Sequence, residues 1–152
     1  MKNGYTMIEL LIIIVISGLL MTLGASAYRK TQDRQSLRAD VETFTSLLES
    51  AKKQATIGDK DCTGPLVGIQ ITLTSGSKTI TQQAICQNNN GAIVNTVLTV
   101  STPDISSTFS FRPLNGSTTL NVAGLNIIFS VSASLTNAIS ISQAGAITHA
   151  AL

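Results

Sequence analysis

Few side chains in this sequence have the types and spacing to do chemistry. The cysteines are Cys62 and Cys86, and the one histidine is His149, three residues from the end of the 152. A redox or metal site would want C-x-x-C spacing and further ligands close by, and neither is present. Lys78 is flanked by Ser77 and Thr79, a hydroxyl and amine grouping capable of nucleophilic chemistry, but it falls in a predicted hairpin turn, where such residues are ordinarily just solvated. There is no G-x-S-x-G, no P-loop and no carboxylate cluster in the second half of the chain. The expectation is therefore no catalytic residue, no metal and no cofactor. One acid stands out. Glu9, in the stretch Gly4-Tyr5-Thr6-Met7-Ile8-Glu9-Leu10, sits at the edge of a long apolar run. An acid within a membrane span costs roughly 2.5 to 3.5 kcal/mol even on lenient scales, so it needs a partner or a reason.

The elements that must position these residues fall into regions of different composition. Net charge is only +2, too small to imply a polyanionic partner. Its distribution is uneven: residues 29–61 carry thirteen charges, and beyond Cys62 only Lys78, Asp104 and Arg112 are charged. From Leu10 to Tyr28 nothing is charged, and as a helix that run can cross a hydrocarbon layer about 30 Å thick. Leu37, Val41, Phe44, Leu48, Ala51 and Ala55 then recur at steps of four and three, lining one face of a helix, while Arg38, Asp40, Glu42, Glu49, Lys52 and Lys53 are expected on the others. Glu49 and Lys53 are spaced i, i+4 in the favourable order, Lys52 and Lys53 fall near the end where cations suit the helix dipole, and Gly58 is the expected C-cap. One nearly continuous helix from Tyr5 to about Ile57 follows, roughly 80 Å long at 1.5 Å per residue.

After it the pattern is antiparallel β. Val67, Ile69, Ile71 and Leu73 alternate with polar residues, and Ser75-Gly76-Ser77 leads to a strand over Ile80 to Gln87. Asn88 to Gly91 is a turn before Val94, Thr96, Leu98 and Val100, and Phe109 and Phe111 precede the turn Pro113-Leu114-Asn115-Gly116. Ile127, Phe129, Val131, Ala133 and Leu135 form the cleanest period-two run, with Ile139, Ile141 and Ile147 beyond it. Six to eight short strands are predicted, with the helical stripe covering a sheet face, in an α+β fold.

Three readings compete for the N-terminus. A Sec signal peptide has Lys2 as n-region and Ala25-Ser26-Ala27 as an A-x-A-like cleavage site. A plain signal anchor is the second. Both leave Glu9 unexplained. In the third, Met1-Lys2-Asn3-Gly4 followed by Tyr5-Thr6-Met7-Ile8-Glu9-Leu10-Leu11 resembles the type IV prepilin family, which includes the pilins and the pseudopilins of type II secretion. In that family a polar leader ends in Gly, an aromatic residue follows, and a Glu lies five residues past the Gly. The resemblance implies cleavage by prepilin peptidase between Gly4 and Tyr5 and N-methylation of Tyr5. It also implies that Glu9 neutralises the freed α-ammonium of Tyr5 in an adjoining subunit, two charges that attract strongly in a low-dielectric filament core. Two departures stand beside it. No Pro kinks the helix near Gly24-Ala25-Ser26, where Gly18 and Gly24 are left to loosen it, and Arg29, Lys30, Arg34 and Arg38 follow the apolar run, against the positive-inside pattern for an exported head.

Within that family the arrangement looks most like the H-type pseudopilins and related minor pilins, from "LLESAKKQATIGD" leading to "LVGIQITL", from "STFSFRPLNG" and from "ISISQAGAIT". The expected organisation is a leader at 1–4, an apolar transmembrane and assembly helix at 5–28, an amphipathic helical half at 29–58 and a β-rich, pilin-like head at 59–152. The implied partners are prepilin peptidase, other pilin or pseudopilin subunits, the inner membrane with the head on its periplasmic or outer side, and the pilus or secretion assembly machinery. Cys62 and Cys86 are read as a disulfide formed outside the cytoplasm, in preference to a redox pair; closing a loop of about 25 residues stabilises by on the order of 3 to 4 kcal/mol. The competing class is a membrane-anchored β-domain for adhesion or DNA capture that does not polymerise. DNA is the weaker partner, because the head past Cys62 has only Lys78 and Arg112, and the cations at 29–38, which could touch phosphate or anionic lipid headgroups, are expected inside a filament to pair with acids such as Asp33 and Asp40 or with a neighbouring subunit. Asn115-Gly116-Ser117 matches a glycosylation sequon.

Overall fold

The apolar and amphipathic stretches are one helix in the computed structural model, which describes the backbone of residues 6–150 and the side chains of 6–21 and 28–149. Helix α1 runs Met7–Ile57. It ends where the sequence places the cap: Gly58 adopts φ of 79°, and the Gly58 and Asp59 N–H groups both donate to the Gln54 carbonyl. Its last turn holds no basic residue, so Lys52 and Lys53 stop short of the position where the dipole favours them most. Contact density divides the chain into a unit of residues 1–35 and a unit of residues 36–152.

In the first unit, every described large apolar side chain of residues 7–21 is exposed, from Ile13 at 47 % to Met7 at 90 %. Among the described residues no helix is long and apolar enough to cross a membrane. The expected span over 5–28 lies partly outside the description, since residues 1–5 and the side chains of 22–27 are not described.

The second unit is the head. Eight strands follow the helix: β1 Leu66–Leu73, β2 Thr79–Cys86, β3 Asn90–Val97, β4 Thr102–Pro103, β5 Ser107–Phe111, β6 Leu125–Ser132, β7 Leu135–Ile141 and β8 Ile147–Ala150. They form two four-stranded sheets, ordered β3-β2-β1-β5 and β4-β6-β7-β8, with every described pairing antiparallel. The stripe predicted on the helix is the core: Leu37, Val41, Phe44, Leu48, Ala51 and Ala55 are all buried, together with Leu47. It packs with residues of both sheets. Phe44 meets Phe129 of β6 with ring centroids 5.0 Å apart, and Gln54 accepts a 2.7 Å hydrogen bond from Gln82 of β2. Ile69, Ile71, Phe109, Phe111, Ile127, Ile139 and Ile141 complete the core.

Two strand expectations are corrected. Val67 is 56 % exposed rather than aligned with Ile69 and Ile71, because the β1–β2 register slips between Leu66 and Gly68 and an irregularity inverts the alternation. The run from Ile127 to Leu135 is two strands: β6 ends at Ser132, which pairs directly with Leu135 of β7 across a turn. No Gly or Pro marks that turn, so periodicity alone reads through it.

Candidate functional site

At the N-terminal end, Gly4 and Tyr5, the expected cleavage and methylation positions, lie outside the described residues. Glu9 does not. It occupies the first turn of α1 and is exposed. Thr6 precedes the helix; its carbonyl accepts from the Glu9 and Leu10 N–H groups at 3.1 and 3.2 Å, and its hydroxyl lies 3.4 Å from the Glu9 N–H. Thr6 and Glu9 therefore stand in the T-x-x-E spacing of a capping box, a pattern legible in the sequence. A carboxylate in the first turn also suits the positive end of the helix dipole. The hydrogen bonds seen here use the Glu9 backbone N–H, and the carboxylate itself is exposed.

The helix around it exposes apolar groups on every side, which in water is unfavourable at about 25 cal/mol per Å². Gly18 sits in this segment, and a Cβ built there meets nothing within 4 Å. Its cost of about 1 kcal/mol in a helix interior relative to Ala is not offset by packing among the described residues.

In the head, the most organised polar group is Asp40, expected on a solvent face and in fact only 3 % exposed. One carboxylate oxygen accepts the Thr99 N–H at 2.8 Å; the other accepts the Val100 and Ser101 N–H groups at 2.9 and 2.8 Å and the Ser101 hydroxyl at 2.9 Å. Burial alone would raise its pKa, but the hydrogen bonds from Ser101, Thr99 and Val100 outweigh it and hold the carboxyl below its ordinary 3.8. Asp40 ties the connection after β3 to the helix and is fully engaged within the head, which removes it as a partner for the cations of α1. The sequence did contain the clue: Asp40 is three residues past Leu37 and four before Phe44, on the buried stripe itself. Lys52 is a second such case. It is four past Leu48, half-buried, and donates to the Gly145 carbonyl at 2.8 Å.

The remaining candidates are also structural. Cys62 and Cys86 are joined in a disulfide with Cα atoms 6.1 Å apart, tying the loop after α1 to the end of β2. Lys78 donates to the Thr99 carbonyl at 2.8 Å, and the Ser77 hydroxyl accepts the Thr79 N–H at 3.1 Å. His149 lies exposed in β8 opposite Ile139, 3.5 Å from the Thr45 hydroxyl. Asn115, of the sequon, is exposed in a turn and accepts from the Ser117 N–H and hydroxyl at 3.0 and 2.9 Å. An open groove of about 410 Å³ between the helix end and β2 and β3 is lined by Gln54, Gln82 and Gln83 with Asp59 and Asp61. Asp61 accepts the Ala92 N–H at 2.8 Å. Among the described residues no group of three or more His, Cys, Asp or Glu side chains is placed to hold a metal ion.

The comparisons with known proteins fall on the N-terminal segment. Residues 1–25 match the family model described as the prokaryotic N-terminal methylation motif. This is a motif of structural subunits, not of an enzyme family, and it supports a type IV pilin- or pseudopilin-like precursor. The α+β architecture, a long N-terminal helix followed by antiparallel sheets, is consistent with a pilin-like fold. No curated protein and no solved structure gives a significant match.

Proposed function

We propose that this chain is a structural subunit, a minor pilin or pseudopilin, of a type IV pilus or a type II secretion pseudopilus. The observation that carries the reading is the coincidence of the methylation motif with a helix that exposes apolar side chains all round. Prepilin peptidase cuts between Gly4 and Tyr5 and Tyr5 is N-methylated. The uncharged run Leu10 to Tyr28 anchors the precursor in the inner membrane with the head outside the cytoplasm. Assembly then replaces lipid around the apolar helix with the same segment of neighbouring subunits. There Glu9 meets the α-ammonium of Tyr5 in an adjacent chain, a pair that is favourable only when both charges leave water together. The head contributes a rigid body, and no turnover of substrate is involved.

The H-type subtype rests on the patterns in the head alone. A non-polymerising adhesion or DNA-capture domain is not favoured: beyond Cys62 the bases are only Lys78 and Arg112, and Lys78 is held by the Thr99 carbonyl.

Glu9→Ala is the test. Membrane insertion and head folding should be unchanged, while incorporation into filaments should fall at least tenfold. Equal incorporation of variant and parent chains would remove the assembly role from Glu9.

A further inference from the structure

Just past the apolar run, α1 carries Tyr28, Arg29, Lys30 and Arg34, all exposed, with Tyr28 at 70 %. The twenty residue steps from Glu9 to Arg29 cover about 30 Å along the helix, the thickness of a hydrocarbon layer. If Glu9 lies at one boundary, this group lies at the other. Its composition suits such a boundary, since an amphipathic aromatic ring and long cationic side chains are what a headgroup region accommodates.

The charges do not cancel within the segment. Three cations stand against one carboxylate, Asp33. Asp33 is four residues past Arg29 and three past Lys30, within helical reach of both. Arg34 has Lys30, Thr31, Leu37 and Arg38 as its helical neighbours at three and four residues, none of them acidic. Like charges at that spacing destabilise a helix by a few tenths of a kcal/mol per pair. Asp40, the next acid along, is occupied by Thr99, Val100 and Ser101.

We infer that Arg29, Lys30 and Arg34, with Tyr28, form a docking band for the phosphate groups of anionic lipids in the leaflet facing the head. The inference rests on the membrane-anchored reading above. It also accounts for cations on the side where a positive-inside count does not expect them: an anionic headgroup layer supplies the counter-charge that the chain lacks. Transfer of a subunit into a filament must then exchange lipid phosphates for acidic groups of its neighbours, so the band selects which lipids surround the waiting subunit.

The test uses the full chain in bilayer nanodiscs of mixed phosphatidylglycerol and phosphatidylcholine, with native mass spectrometry counting the lipids retained on release. The parent chain should retain phosphatidylglycerol over phosphatidylcholine by on the order of tenfold. The triple variant Arg29→Gln, Lys30→Gln, Arg34→Gln should approach parity, and Arg29→Lys with Arg34→Lys should keep most of the preference. An intact Cys62–Cys86 disulfide on a non-reducing gel and unchanged helicity establish that the variants are folded. No preference in the parent, or an equal preference in the triple variant, overturns the inference. So does binding to a DNA oligonucleotide that exceeds the lipid preference and disappears in the triple variant, which would assign the band to nucleic acid. A chain that floats with neutral and anionic vesicles alike but retains no excess of phosphatidylglycerol in the nanodiscs contradicts the lipid inference alone, whereas one that floats with neither removes the membrane reading beneath it.

Discussion

Ile13 and Phe44 belong to the same helix and live in opposite circumstances. Ile13 is the least exposed large apolar residue of the segment 7–21 and still shows 47 % of its surface, whereas Phe44 shows none and lies against Phe129. From residue 36 onward the chain builds a core of its own, satisfies Asp40 with four hydrogen bonds and closes a disulfide, although Val67, Ile93, Val94 and Val97 of the sheets stay exposed. Over residues 7–21 it buries almost nothing. The exposed apolar residues of the head are scattered among buried ones, whereas over residues 7–21 they are continuous, and a continuous exposed apolar surface is the mark of a surface that interacts with something else.

The sharpest way to break this contrast is to truncate one residue on each side of it. Phe44→Ala should destabilise the head by about 3–5 kcal/mol, while Ile13→Ala should leave head stability within about 0.5 kcal/mol, both read by denaturant unfolding of the full chain in detergent. Comparable losses would mean that residues 7–21 contribute to the head core. Next in size, Cys62→Ser with Cys86→Ser should cost about 3 kcal/mol, and a denaturation midpoint insensitive to reductant in the parent chain would contradict a stabilising bridge.

Asp40→Ala leaves three N–H donors and a hydroxyl without their acceptor and should cost about 2–3 kcal/mol in the same assay. Its pH dependence has a definite sign. Because the folded carboxyl titrates below its ordinary value of 3.8, the stabilisation is fully present above that value and is lost as pH falls through the folded pKa. Melting temperature should therefore drop more steeply below about pH 4 in the parent than in Asp40→Asn; parallel curves would mean the carboxylate is not what holds residues 99–101. The smallest effect expected is at Gly18, where Gly18→Ala should stabilise the helix by up to about 1 kcal/mol with no change in the head. If the same substitution lowers filament incorporation, the glycine serves close approach by a neighbouring helix; unchanged incorporation would assign it no assembly role.

The two regions also differed in how far the sequence revealed them. The stripe from Leu37 to Ala55 and the cap at Gly58 were legible because helical periodicity over many residues is hard to produce by chance, and every stripe residue named is buried. In the strands, local irregularity defeated periodicity. A register slip turned Val67 outward, a turn without Gly or Pro split the run at Ser132, and β4 is too short, at Thr102–Pro103, to have a period at all. Asp40 and Lys52 read as solvent-facing by type although their spacing places them by the buried stripe, because the partners that make burial tolerable are distant in sequence. At the N-terminus the motif is legible residue by residue, and the T-x-x-E spacing of Thr6 and Glu9 also marks the start of the helix.

The central claim is that the exposed segment survives maturation and is covered by membrane and then by sister subunits. The most direct measurement is the intact mass and N-terminal peptide of the chain isolated from native membranes or sheared filaments. The account predicts a chain beginning at N-methylated Tyr5. A chain beginning at Tyr28, cut after Ala27, would contradict it, because the apolar helix would have been removed and nothing would remain to stack.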